Sequence, residues 1–198
     1  MRFFIYITIL LCCSITTFSQ NITKENFLDS LQYKSFLYFV NEINEQNGLV
    51  RDRSTKESPA SMAATGYAIP VWALAAEKNW ISLDKARDLT LNLFNFLLNS
   101  EQSEKPDATG YKGLYYHFVD MQTGKRMWNC ELSTIDTGLL LAGIRFAVQY
   151  YSSDNCKDVM IRKIGDSLTH RIDWNFVVVS GREKLNNTIA MSWDPENG

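Results

Sequence analysis

Residues 111–150 read YKGLYYHFVDMQTGKRMWNCELSTIDTGLLLAGIRFAVQY, a short aromatic-rich stretch that passes two carboxylates and runs directly into an apolar helical pattern. The runs Leu114 to Val119 and Arg126 to Trp128 flank Asp120-Met121-Gln122-Thr123-Gly124, a spacing and a glycine that predict a β-hairpin. Ser133-Thr134-Ile135-Asp136 then matches a capping box, with the acid at the third helical position reaching back to the cap. Ile135, Leu139, Ala142 and Phe146 give the following helix an apolar stripe, and Gly138 and Gly143 leave room for a close helix contact.

Working outward, the same helical period recurs. Lys24 to Gln46 places Phe27, Leu28, Leu31, Phe36, Phe39, Val40 and Ile43 at spacings of mostly three and four, ended by Asn47-Gly48. A polar linker, Gly48 to Pro59, precedes Ala60 to Lys78, which is apolar nearly all round, as in a helix enclosed by others. Pro70 lies inside it and predicts a kink or a split. Ser82 caps a further stripe of Leu83, Ala86, Leu89, Leu93, Phe96 and Leu97, and another helix is expected from about Asp154 to His170. No strand alternates with helix in the βαβ manner, and no repeat of fixed period stands out. The expectation is a mainly α protein with long loops and one small β-hairpin.

The composition narrows the function classes. A formal net charge of −2 without any basic stripe argues against nucleic acid and favours a neutral partner. Residues 1–19 carry Arg2, an apolar run from Phe3 to Cys13 and the small-x-small triplet Thr17-Phe18-Ser19, the pattern of a cleaved export signal. The expected mature domain is 20–198, exported to the periplasm or beyond and without a stable membrane span, a lipid anchor on Cys12 or Cys13 being the rival reading. Outside that segment only Cys130 and Cys156 remain, and they read as buried free thiols or one bridge rather than as chemistry. His117 and His170 are too isolated to suggest a metal site.

Aromatic side chains beside carboxylates suit a sugar, whose ring offers apolar C–H faces and polar edges. Each aromatic taken singly is more often packing than platform, and the cluster as a whole carries the reading. The motifs LQYKSFLYF, GLVRDR, SMAATGYAIP, YKGLYYHFVDMQTGKRMW, ELSTIDTGLLLAG and MSWDPENG, in that order, resemble those of the bacterial glycoamylase-like family, which includes the endo-β-1,2-glucanases of glycoside hydrolase family 144. The resemblance implies an (α/α)6 toroid with its site at the mouth, and inverting hydrolysis of β-linked glucan without a metal or organic cofactor. It also implies a longer chain, so that residues 20–198 would be about three of the six helical hairpins, with unpartnered inner faces prone to self-association.

Within that frame Glu131 is the candidate general acid, flanked by Trp128 and Cys130 and set just before the helix that starts near Ser133. Apolar neighbours favour its neutral form and the helix N-terminus opposes that. Asp136 reads as a cap and also as a substrate contact. Asp52, between Arg51 and Arg53, suits a base or hydroxyl acceptor, or a solvated ion pair. Arg53, Tyr115, His117, Trp128 and Trp193 are sugar contacts by residue type. The resemblance places the second carboxylate of an inverting pair beyond Gly198, and Asp194 and Glu196 read as a rim or structural turn. The competing reading is a glycan-binding or scaffold protein without catalysis.

Overall fold

The computed structural model describes residues 24–179 and 188–197, and the expected export signal at 1–19 lies outside them. The chain divides into two units, residues 1–34 and 35–198. Helix α1 spans Lys24–Asn41. Its part in the first unit carries Phe27 and Leu28 exposed, so this end of the stripe is not core.

In the second unit α1 stops at Asn41, before the predicted end, because the chain turns at once: Ile43 bridges Val50 and Gly48 adopts a φ of 72°. Strand β1 (Ala60–Ser61) leads into α2 (Met62–Glu77), capped where the Ser61 side chain accepts from Ala64 N. Ser82, as expected, caps α3 (Leu83–Asn99) by accepting from Lys85 N. Four short strands follow: β2 (Gly110–Tyr111), β3 (Leu114–Tyr116), β4 (Phe118–Val119) and β5 (Leu132–Ser133). Helices α4 (Thr134–Tyr150) and α5 (Cys156–His170) come next, then β6 (Val178–Val179), β7 (Thr188–Ile189) and β8 (Ser192–Trp193).

Two helical hairpins, α2–α3 and α4–α5, stand side by side, with α2 packed on α4 and α3 on α5. The core lies between them, around Trp72, Phe94, Leu97, Leu140 and Ile144, and Trp72 Nε1 reaches the Phe39 carbonyl at 2.9 Å to tie α1 in. Buried ionic pairing joins the α3–α5 layer: Arg87 Nε meets Asp158 Oδ1 at 2.6 Å, and Ser153 Oγ adds 2.6 Å to Oδ2. Burial pushes the Asp158 carboxyl up, but Arg87 and Ser153 outweigh it and hold the group below its usual range.

Three expectations need revising. Of the kink or split expected at Pro70 the split is absent, since α2 runs unbroken through it. The proline takes the helical donor from the Gly66 carbonyl, and that carbonyl lies against Gly143 of α4, where it occupies the space of a missing Cβ. The stripe of α4 is rotated from the predicted one: Thr137, Leu140, Ile144, Ala147 and Val148 are buried, whereas Ile135 and Phe146 are exposed. Periodicity alone could not choose between them, because both faces of this helix are apolar. Finally, the predicted hairpin partners other strands. β3 pairs with β2 through the turn Lys112-Gly113, at φ 55° and 82°, and β4 pairs with β1, leaving one bridge, Val119 to Arg126, across the Asp120–Lys125 turn.

Gly66 and Gly143 let α2 and α4 approach at backbone distance: a Cβ on Gly143 would stand 2.3 Å from Gly66 O, and one on Gly66 2.6 Å from Leu140 Cα. Gly138, expected at the same contact, has nothing within 4 Å. The two α4 glycines should therefore respond oppositely to alanine. Gly138→Ala is expected to stabilise by about 0.5–1 kcal/mol, and Gly143→Ala to destabilise by about 1–3 kcal/mol through overpacking. Urea unfolding of both variants checks the signs.

Candidate functional site

Strand register builds the site. β5 is one of the two inner strands of a four-stranded sheet ordered β2-β3-β5-β8. On one side Tyr115 pairs with Ser133 and Tyr116 with Leu132. One step further His117 faces Glu131, and its N–H donates to the Glu131 carbonyl at 3.0 Å. On the other side Leu132 pairs with Trp193 and Ser133 with Ser192, so the same step sets Asp194 opposite Glu131. His117, Glu131 and Asp194 thus form one cross-strand row, and neighbours in such a row have side chains within contact range.

All three line an open cavity of about 510 Å³, together with Asn129, Ser133, Ile135, Asp136, Met191 and Ser192. That is within the usual size of a small-molecule site, about 300–1,000 Å³. The cavity sits at the N-terminal ends of the two mutually packed helices: Met62 N, the first residue of α2, donates to the His117 carbonyl at 3.1 Å, and Asp136 stands in the first turn of α4.

Glu131 is half-buried, its side chain 39% exposed, and its Oε1 lies 3.0 Å from His117 Nδ1. His117 Nε2 stands 3.7 Å from Asp136 Oδ1. The Asp136 side chain is only 10% exposed, and its other oxygen takes the Ser133 hydroxyl at 2.5 Å while Ser133 Oγ accepts from Asp136 N at 3.1 Å. The serine caps α4 as expected, but the acid bonds the serine hydroxyl rather than the backbone donor, which belongs to the β5 ladder. The Phe118 ring stacks on the imidazole at 3.8 Å, and Trp128 meets Phe118 edge-on at 5.4 Å.

Trp128 and Asn129 both have positive φ, 56° and 50°, a conformation costing about 1–2 kcal/mol per residue. This turn delivers Asn129 to the cavity and leaves Trp128 65% exposed beside it. Cys130 is half-buried, its thiol pushed up by burial and hydrogen-bonded to Phe118, and both it and the exposed Cys156 are free. Among the described residues no set of three His, Cys, Asp or Glu side chains is placed to hold a metal ion.

The other residues nominated from sequence lie elsewhere. Tyr115 is buried, its hydroxyl held by the Leu97 carbonyl and by Arg171 and pushed up to about 12 by burial, so it packs in the core and does not line the cavity. Trp193 packs against Tyr111 and Phe176 at 5.4 and 5.3 Å, on the sheet face away from the Glu131 row. Asp52 and Arg53 pair with each other at 3.0 Å on the 51–59 loop and do not line the cavity. Asn129 and Ser133 are cavity residues that sequence reading did not put in the site, and Asp194, read as a rim or structural turn, also lines the cavity. Only the pairing of β8 with β5, across some sixty residues, brings Asp194 there.

Arg126 anchors that outer strand. Its side chain, 1% exposed, grips Glu196 through two contacts of 2.6 and 3.1 Å, approaches Asp194 at 3.7 Å and lies over the Tyr116 ring at 4.6 Å. The terminal turn is therefore structural at Glu196 and open to the cavity at Asp194.

The paired helical hairpins are those of an (α/α)6 toroid. No family model matches the chain. It is similar to the exo β-1,2-glucooligosaccharide sophorohydrolase (non-reducing end) of Parabacteroides distasonis, 27% identical over 169 residues that cover 82% of this chain and 22% of the relative. A crystal structure of a β-1,2-glucanase from Parabacteroides distasonis superposes with a TM-score of 0.75 at 22% identity, covering 87% of this chain and 24% of that one. An endo-β-1,2-glucanase from Chitinophaga pinensis, in complex with sophorotriose and glucose, gives 0.71 at 14% identity, covering 86% and 41%. The chain spans roughly a fifth to two fifths of the length of these relatives. The motif resemblance to β-1,2-glucanases of the glycoamylase-like kind thus holds over most of the chain.

The Arg126 hydrogen bonds hold the Glu196 carboxyl below its ordinary value of 4.5. A depressed carboxyl contributes its stabilisation in full above the ordinary value and loses it as pH falls through the lowered one. The protection factors of residues 188–197 against hydrogen exchange should accordingly be high at neutral pH and fall as the pH drops below 4.5. In Arg126→Met protection should be low at every pH, and unchanged protection in that variant would contradict the anchoring role.

Proposed function

We propose that the chain carries the acid side of a glycoside hydrolase site acting on β-glucan, β-1,2-linked, with Glu131 as the proton donor. The observation that carries this reading is the placement of Glu131: a half-buried carboxyl on the wall of an open cavity, beside His117 and an exposed tryptophan. The similarity to enzymes named for β-1,2-glucans supports the substrate class.

In the proposed reaction the Glu131 proton passes to the glycosidic oxygen as the bond from that oxygen to the anomeric carbon breaks. Water adds to the same carbon from the opposite face and gives its proton to a second carboxylate, which inverts the anomeric centre. That base must stand across the sugar from Glu131, about 6.5–9.5 Å away. Asp194 is next to Glu131 in the same strand row, on the same side, so its role is to accept hydroxyls of the bound ring. Trp128 offers an exposed face for a sugar's C–H surface, and Asn129 and Ser192 supply amide and hydroxyl groups around it.

Export is part of the proposal, supported by residues 1–19, and mature protein beginning at Gln20 would establish it. No described helix is long and apolar enough to cross a membrane. Exposed Tyr67, Leu74, Ile135 and Phe146 on α2 and α4 support self-association of the isolated chain, measurable by light scattering.

The test is Glu131→Gln in protein expressed from its complete reading frame and assayed on β-1,2-glucan. The expected result is a fall in kcat of about 10²–10⁴-fold with little change in KM, and β-anomer substrate giving α-anomer product by NMR. A variant that keeps its rate would overturn the assignment. Binding of short glucans with no cleavage by the unmodified protein would favour the glycan-binding reading instead.

A further inference from the structure

We infer that His117 is a positioning residue for Glu131: its Nδ1–H holds Oε1 of the carboxyl, so that the transferable proton resides on Oε2, the oxygen that His117 leaves free. The inference rests on the reading of Glu131 as the proton donor and assigns the device that aims it.

Four observations converge on the imidazole. Register fixes the partners, since His117 and Glu131 are cross-strand neighbours joined by a backbone hydrogen bond of 3.0 Å. Stacking on Phe118 at 3.8 Å, with 16° between the planes, fixes the ring plane. The two ring nitrogens then face different carboxyls at different distances. Nδ1 is 3.0 Å from Glu131 Oε1, within hydrogen-bonding range, whereas Nε2 is 3.7 Å from Asp136 Oδ1 and beyond it. On this inference Nδ1 is the protonated nitrogen: an Nδ1–H donates to Oε1, whereas a bare Nδ1 would accept the carboxyl's own proton from Oε1 and leave Oε2 without one.

Asp136 is itself held by the Ser133 hydroxyl and the first turn of α4, so it forms a fixed negative wall behind Nε2. The other ionisable groups around the ring are Asp194, across the Glu131 row, and the Cys130 thiol. The nearby cation, Arg126, is committed to Glu196, Asp194 and the Cys130 carbonyl.

The consequence concerns the geometry of proton transfer. A carboxylic acid free to rotate or to exchange its two oxygens presents its proton to the substrate for only part of the time. With Oε1 accepting from His117, the acid proton has one place to sit. Among the described residues Oε2 takes no hydrogen bond, and Glu131 lines the cavity. Aim of this kind acts on the chemical step and leaves substrate affinity nearly untouched.

Substitution separates this role from a sugar contact or a packing role. An Asn amide reaches the position of Nδ1 and can replace its hydrogen bond, whereas a Gln amide reaches toward Nε2 and cannot. His117→Gln is expected to lower kcat by about 10²-fold with KM within about threefold. His117→Asn is expected to recover at least about tenfold of that loss. Equal kcat in the two variants, or a change confined to KM, would overturn the inference. Nitrogen-15 NMR of the ring in the unmodified protein gives an answer that needs no catalysis. With its signals assigned by comparison with the His117→Asn spectrum, Nδ1 of His117 should carry the proton at pH 8, and a bare Nδ1 would overturn the inference. If Glu131→Gln stays active, the glycosidase reading fails while the NMR result still decides the hydrogen bond.

Discussion

The antiparallel pairing of Leu132–Ser133 with a strand on each side is the constraint on which the site depends. β5 is only two residues long, yet its register determines what faces the cavity. A slip of one residue would turn Glu131 toward the core and Leu132, now 1% exposed, toward solvent. Leu132 stacks between Tyr116 and Trp193 on one face of the sheet while Glu131 stands between His117 and Asp194 on the other. Burial of the apolar row therefore fixes the polar one. The outer strand has little apolar burial of its own and depends on two polar holds: Arg126 on Glu196, and Thr134, whose backbone N–H and hydroxyl donate to the Met191 carbonyl at 3.2 and 2.8 Å.

The helices set the depth of this arrangement. Because Gly66 and Gly143 allow α2 and α4 to touch backbone to backbone, the starts of the two helices lie close together, and the strands that cap them share one end of the bundle. Met62 N on the His117 carbonyl and Ser133 Oγ on Asp136 then tie the sheet to both helix starts. The site is a seam between secondary structures rather than a feature of either. Its acids are spaced along the chain from Glu131 to Asp194, with His117 supplied from a third strand.

Much of the fold was legible in the sequence because helical period, serine caps and apolar content act locally. α2, α3, α4 and α5 start within two residues of where the pattern and caps put them. What failed was non-local. The hairpin expected across Asp120–Gly124 is reduced to one antiparallel bridge, Val119 to Arg126, since its first arm pairs with β1 and β5 instead. Pro70 does not break α2, because the carbonyl it frees sits against a glycine of the neighbouring helix. The buried face of α4 could not be chosen among two apolar stripes. In the site, Glu131, His117, Trp128 and Asp136 cluster as their proximity in sequence suggested. Tyr115 packs into the core and Trp193, on the opposite sheet face, packs against Tyr111 and Phe176, so neither residue nominated by type lines the cavity. Asp194, read as part of a rim or structural turn, reaches the cavity through the pairing of β8 with β5, for which the sequence carries no local signal.

The most direct measurement is a crystal structure of the Glu131→Gln variant with a β-1,2-linked glucooligosaccharide. The account predicts a sugar in the cavity walled by His117, residue 131 and Asp194, with a glycosidic oxygen within hydrogen-bonding distance of the residue 131 amide and His117 Nδ1 still on its other atom. A saccharide bound elsewhere on the protein, or one in this cavity with residue 131 turned away from every glycosidic oxygen, would contradict it.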